Sequence, residues 1–124
     1  MSAARFSKRV LATLDESRML RIRAGAEHRF IGIWVVVVRG RVFVRSWNDK
    51  PGGWYRAFLE EPRGAIEIAG REIGVRAKKA TSERLMAAVE VAYGEKYTTP
   101  ASRKYVRGFK SPRRRMTTTE LVPR

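Results

Sequence analysis

Apolar and polar positions alternate with a period near two through much of this chain, and shift to helical spacing in three places. Ser7 stands where it can cap a helix carrying Val10, Leu11 and Leu14, with Phe6 ahead of it as a hydrophobic staple. Arg18 to Ala24 alternates basic with apolar, as a strand with one wet face does, and Gly25 to Arg29 is a polar turn. Ile31 to Val38 is β-branched and apolar almost throughout, the pattern of a strand buried on both faces. Arg39-Gly40 links it to Arg41–Ser46, giving the clearest hairpin in the chain. Trp47 to Gly53 is a loop of Asn, Asp, Lys, Pro and two glycines, and Trp54 to Glu61 a helix ended by Pro62. Gly64–Ala69 and Glu72–Ala80 form a second hairpin, for which Gly70-Arg71 predicts a type II′ turn. Ser82 opens a helix whose stripe of Leu85, Val89, Ala92 and Tyr93 runs to about Tyr97, and Met116 to Val122 is a threonine-rich strand. Six short strands with three helices at their edges predict an α+β chain, mainly β, in the form of a small barrel with added helices.

The 124 residues suit one domain, 1–124, large enough to fold without a staple. With no cysteine and one histidine, disulfides, Cys–His chemistry and a conventional zinc or iron–sulfur site are not expected. The lack of cysteine and of a signal-like beginning leads us to expect a cytoplasmic protein, and no apolar run has membrane-spanning length. Charge changes the picture most. Twenty-seven Lys and Arg against twelve Asp and Glu give +15, which predicts an anionic partner. Seven of the cations lie within 103–115, a segment without an acid. It reads as a solvated loop, as a clamp over an anionic cofactor, or as a nucleic-acid contact in which Tyr105 and Phe109 interleave the charges.

The order strand, strand, loop, Trp-Tyr helix, Pro-Arg turn, strand resembles the flavin-binding split β-barrels. The residues that carry it are Val42-Phe43-Val44-Arg45-Ser46, Lys50, Gly53-Trp54-Tyr55-Arg56 and Glu61-Pro62-Arg63-Gly64. Pyridoxamine-phosphate-oxidase-like proteins and deazaflavin-dependent nitroreductases share that segment order. The chain is also similar to a bacterial family of unknown function, DUF 2255. That likeness rests on the Ile-Trp-Val-Val-Val-Val strand, Val-Arg-Ser, Gly-Gly-Trp-Tyr-Arg-Ala, the Ala92–Tyr97 segment, Pro100-Ala101-Ser102 and the Thr-Thr-x-x-Leu-Val-Pro-Arg ending. The resemblance implies a split β-barrel of about six strands with peripheral helices. It further implies FMN or a deazaflavin as cofactor, an oxidoreductase acting on a small acceptor, and a homodimer with its cleft between two copies. Lys50-Pro51-Gly52-Gly53 stands where the deazaflavin enzymes carry Pro-x-His-Pro, and Arg29 is the one anion donor near their first glycine segment.

Arg45, Ser46, Asn48 and Lys50 offer a planar fork, a hydroxyl, an amide and a flexible point charge, a set that fits a phosphate as well as an ordinary polar turn. Trp47, beside that loop, is a candidate stacking partner for a flat ring, whereas Trp34 and Trp54 read as packing residues. Arg113, Arg114 and Arg115 are expected to meet an anion, because three adjacent arginines repel one another without one. His28 reads as a solvated turn residue, and no residue presents itself as catalytic.

Overall fold

The computed structural model describes residues 5–124. Among them are α1 (Lys8–Glu16), β1 (Met19–Ala24), β2 (Ile31–Trp34), β3 (Val36–Val38), β4 (Arg41–Val44), α2 (Trp54–Glu60), β5 (Arg63–Ile68), β6 (Arg71–Lys79), α3 (Glu83–Lys96), α4 (Pro100–Gly108), α5 (Pro112–Arg115) and β7 (Thr119–Pro123). Ser7 and Ser82 cap α1 and α3, each accepting a hydrogen bond from the backbone N–H three residues on, and Phe6 joins the core with Val10.

The seven strands form one antiparallel sheet in the order β2-β1-β5-β6-β7-β4-β3. Its two end strands are consecutive in the chain, separated only by Val35, so the sheet curls until its ends meet there. At Val35 side chains replace the ladder. Its N–H donates to Tyr97 Oη at 2.9 Å, its carbonyl accepts from Lys96 Nζ at 2.8 Å, and Tyr97 Oη donates to the Arg18 carbonyl at 2.6 Å. The apolar run Ile31–Val38 is therefore two strands, which raises the expected six to seven. Nor is it buried on both faces throughout. Val35, Val36 and Val38 are buried, but the kink turns β2 to the rim of a cleft and leaves Ile31 41% exposed.

Two hydrophobic cores flank the curled sheet. Leu20, Ile22, Val42, Val44, Ile66 and Leu121 fill the inside, closed by Leu14 of α1 and by Trp54 and Phe58 of α2. Val36, Val38 and Phe43 face outward, onto Val89, Tyr93 and Tyr97 of α3 and its C-terminus and onto Phe109 after α4. Each such burial contributes about 1.5–3 kcal/mol, so both faces of β3–β4 must be apolar, as the sequence has them.

Both two-residue hairpin turns have positive φ at both central positions, Arg39 (52°) with Gly40 (75°) and Ala69 (50°) with Gly70 (75°). That is the type I′ form favoured by strand twist. Strand pairing of Ile68 with Arg71 makes Ala69-Gly70 the turn, in place of the type II′ turn expected at Gly70-Arg71. The basic segment is helical rather than a loop: Thr99 caps α4 and Ser111 caps α5, each followed by Pro at the first helical position. The last strand starts at Thr119, later than expected, because Thr117 and Thr118 bond back to the α5 carbonyls of Arg114 and Arg115.

Candidate functional site

The kink at Val35 and the end of β4 leave a cleft of about 350 Å³ between β2 and the loop 45–53. That volume lies within the range of small-molecule sites. Its walls are aromatic and aliphatic: Met19, Ile31, Ile33 and Trp34 on one side, Trp47, Trp54, Tyr105 and Phe109 on the other. Trp34 stacks on Tyr97 with centroids 3.9 Å apart and planes at 5°, which fixes its ring as one wall. Tyr105, 39% exposed, stands edge-on to Trp47 at 5.0 Å and to Trp34 at 6.0 Å.

A second chamber of about 390 Å³ shares Ser46, Trp47, Asn48 and Lys50 with the first and adds Asp49, Ser111, Arg113, Arg114 and Thr117. Its cations are Lys50, Arg113 and Arg114. Asp49 is the one acid there, and it is paired at 2.8 Å with Arg56 of α2. Lys50 and Arg113 form no ion pair among the described residues. Lys50 opens a turn in which the Gly53 N–H donates to its carbonyl at 3.0 Å, with Pro51 and Gly52 (φ 78°) between. This is a type II turn, needing positive φ at its third position, and it holds Lys50 at the junction of the chambers.

Arg114 braces Trp47. Its Cζ lies 3.6 Å from the indole centroid, Nε donates to the Trp47 carbonyl at 2.9 Å, and Nη1 lies 3.4 Å from the Gly108 carbonyl. A Cβ on Gly108 would sit 2.6 Å from Trp47 Cζ3, so only glycine lets the indole lie against α4. Trp47 is thus a rigid partition between the chambers, with Tyr105 and Phe109 edge-on to it.

The candidate residues separate into two groups. Trp47, Asn48, Lys50, Arg113 and Arg114 are brought together, with Ser46 between the chambers donating to the Asn48 carbonyl at 2.7 Å. Arg45 also borders the aromatic cleft, but its side chain is directed away from it. Its side chain is buried under α3 and donates to Thr118 Oγ1 (2.8 Å), to the carbonyls of Phe109 (2.9 Å) and Met86 (3.0 Å), and to Glu90 at 3.4 Å. Desolvation lowers its pKa, against the pull of Glu90. The expected phosphate fork is committed to protein partners because the outer face of β4 is covered by α3 rather than open. Arg115 is likewise engaged, with Glu83 at 2.6 Å and with Glu90. Arg29 is exposed in the turn before β2 and lines neither chamber, and His28 is exposed beside it. Met19 and Ile33 enter the site without having been singled out, Trp34 lines it although it reads as a packing residue, and Tyr105 and Phe109, read as interleaving the charges of the basic segment, line the aromatic cleft. The Thr99-Pro100 and Ser111-Pro112 caps were the available signal that 100–115 folds as helices beside the loop.

Solved structures share this architecture. A conserved hypothetical protein of Mycobacterium tuberculosis superposes with a TM-score of 0.60 at 14% identity, over 98% of this chain and 81% of that one. A pyridoxamine 5′-phosphate oxidase-like protein of Listeria innocua gives 0.63 at 13% identity, over 93% and 90%. A FAD-binding protein of Mesorhizobium loti gives 0.56 at 11%, over 95% and 88%. These likenesses show the fold, a split barrel with peripheral helices, as the sequence predicts. Among curated proteins none matches in sequence. The model of a family described as an uncharacterized protein conserved in bacteria matches residues 10–121, nearly the whole described chain, and the protein therefore belongs to that family, DUF2255.

Proposed function

We propose that the cleft binds a phosphorylated flavin-type cofactor, FMN or a deazaflavin, with its ring in the aromatic chamber and its phosphate in the basic one. The observation that carries this reading is the junction at Trp47–Lys50, where an aromatic-walled chamber adjoins one holding Lys50, Arg113 and Arg114 and shares Ser46, Trp47, Asn48 and Lys50 with it. The residues fit the group. Trp34, Trp47 and Tyr105 offer faces and edges to a flat ring, Asn48 offers an amide, and the cations offer charge-assisted bonds to a dianion. Bound there, such a cofactor supplies hydride transfer to a small acceptor. The chain's part is to orient the ring and exclude water. No Asp, Glu or His is among the described residues that line the aromatic chamber, whereas Ser46, Lys50 and Tyr105 are.

A homodimer belongs to the same reading. β2 ends the sheet and borders the cleft, and Met19 and Ile31 stand exposed at its rim. A second copy laid over that rim would cover both and close the site. The test is direct: FMN added to the wild-type protein should quench tryptophan emission and lose its own fluorescence on binding, saturably. No change with FMN or with a phosphorylated deazaflavin rejects the proposal.

A further inference from the structure

The segment from Pro100 to Thr119 contains no acid, and its cations divide by direction. Arg113 and Arg114 line the basic chamber, and Arg115 is neutralised by Glu83 and Glu90. Lys104 lies over the ring of Tyr105. Arg103, Arg107 and Lys110 point elsewhere. They follow the i, i+4, i+7 spacing of one helical face, and the Lys110 N–H donating to the Arg107 carbonyl at 3.1 Å carries that face one turn past the end of α4. All three are exposed, and none forms an ion pair among the described residues. Arg103 and Arg107 flank an open groove between α3 and α4, floored by Gly94, Tyr97, Thr98 and Val106. Like charges four residues apart oppose helix formation, so an unpartnered row of them is stabilised by an outside anion.

We propose that this face of α4 docks the sugar-phosphate backbone of a nucleic acid, independently of the cofactor cleft. From Arg103 to Lys110 the face runs about 10 Å at 1.5 Å per residue. Successive phosphates of one strand advance about 3.4 Å along the axis, so the face spans about three such steps and its three cations can lie along one strand. A lipid surface fits less well. A helix lying on a membrane needs an apolar face to insert, whereas the large apolar side chains of α4 and of its C-cap are already used: Val106 and Phe109 in the outer core, Tyr105 at the cleft. No side chain on the ridge reads base edges, so recognition is by charge and spacing and does not depend on sequence.

The test is fluorescence anisotropy of a labelled duplex of about 20 base pairs across a range of salt. It compares wild type with R103Q/R107Q/K110Q and with a control of equal charge loss on exposed β6 positions, R71Q/R76Q/K78Q. Thermal melting checks that each variant is folded. The α4 variant should bind at least tenfold more weakly at low salt, and its slope of log affinity against log salt should be shallower by roughly 2.7, at 0.9 per lost phosphate contact. The β6 control should change affinity less than threefold. Equal effects of the two variants, or an unchanged slope in the α4 variant, would overturn the proposal. So would an α4 variant that releases phosphatidylserine vesicles while keeping its affinity for the duplex.

Discussion

Arg114 lies over the indole of Trp47 at 3.6 Å and at the same time donates to the Trp47 backbone carbonyl. One side chain thereby ties α5 to the loop after β4 and holds the partition between the two chambers. A cation–π contact of this closeness is worth about 1–2 kcal/mol, and a hydrogen bond from a charged group about 1.5 kcal/mol or more.

Arg114→Ala should accordingly lower stability by about 1–3 kcal/mol, read as a shift of the urea midpoint at constant m. Tryptophan emission should also move to longer wavelength as Trp47 gains water. A variant with wild-type midpoint and spectrum would show that the stack contributes nothing.

Arg45 is expected to behave as a structural keystone. It connects β4 to α3 through Met86 and Glu90, to the end of α4 through Phe109, and to the residues before β7 through Thr118. Removing one partner of a buried, hydrogen-bonded charge costs about 3–5 kcal/mol, and Arg45→Ala should lose that much. Arg45→Lys should restore little of it, since an ammonium cannot reach four acceptors in the guanidinium plane. A loss below about 1 kcal/mol for Arg45→Ala contradicts this account.

Alkaline stability tests the clamp at Val35. Burial pushes the Tyr97 phenol from 10.0 up to about 12, opposed by its backbone hydrogen bond to Val35 and by Arg18, and burial also raises Tyr93. Between about pH 10 and pH 12 the unfolded chain has released the Tyr97 proton and the folded chain keeps it. The unfolded state then binds fewer protons, so stability falls as pH rises through that window and is fully present below it. Burial lowers the Lys96 pKa and works in the opposite sense, so the informative quantity is wild type compared with Tyr97→Phe. Urea midpoints from about pH 9 to 12 should fall less steeply for Tyr97→Phe. Identical slopes would contradict the clamp.

Much of this fold can be read from the chain, and the exceptions have physical causes. Ser7, Ser82, Pro62 and Arg39-Gly40 act within a few residues of themselves, so the elements they bound are legible. The break at Val35 is not, because Tyr97 and Lys96, which replace its ladder bonds, lie more than sixty positions away. Separation along the chain also hides Arg45: alternation places it opposite Val44, but only the packing of α3, more than forty positions on, decides that its face is interior. Lys50 and Trp47 were legible as candidates because loop chemistry is local. Their meeting with Arg113 and Arg114 depends on α4 and α5 folding back against that loop.

Association is the next expectation. The protein should scatter light as twice 14.2 kDa at tens of micromolar, burying at least about 1,200 Å² in total around the β2 rim. Replacing Ile31 at that rim with Lys should shift the mass toward the monomer. A wild-type monomer at that concentration would remove the second copy from the site.

The central claim is that Lys50 and Arg113 hold the phosphate of a ring bound beside Trp47. The most direct measurement titrates FMN and riboflavin, which differ by that phosphate alone, into wild type and Lys50→Ala/Arg113→Ala. Wild type should bind FMN at least tenfold more tightly than riboflavin, about 1.4 kcal/mol or more. The double variant should lose that preference and keep its riboflavin affinity. Equal affinity of wild type for the two flavins, or a preference that survives the double substitution, would contradict the account.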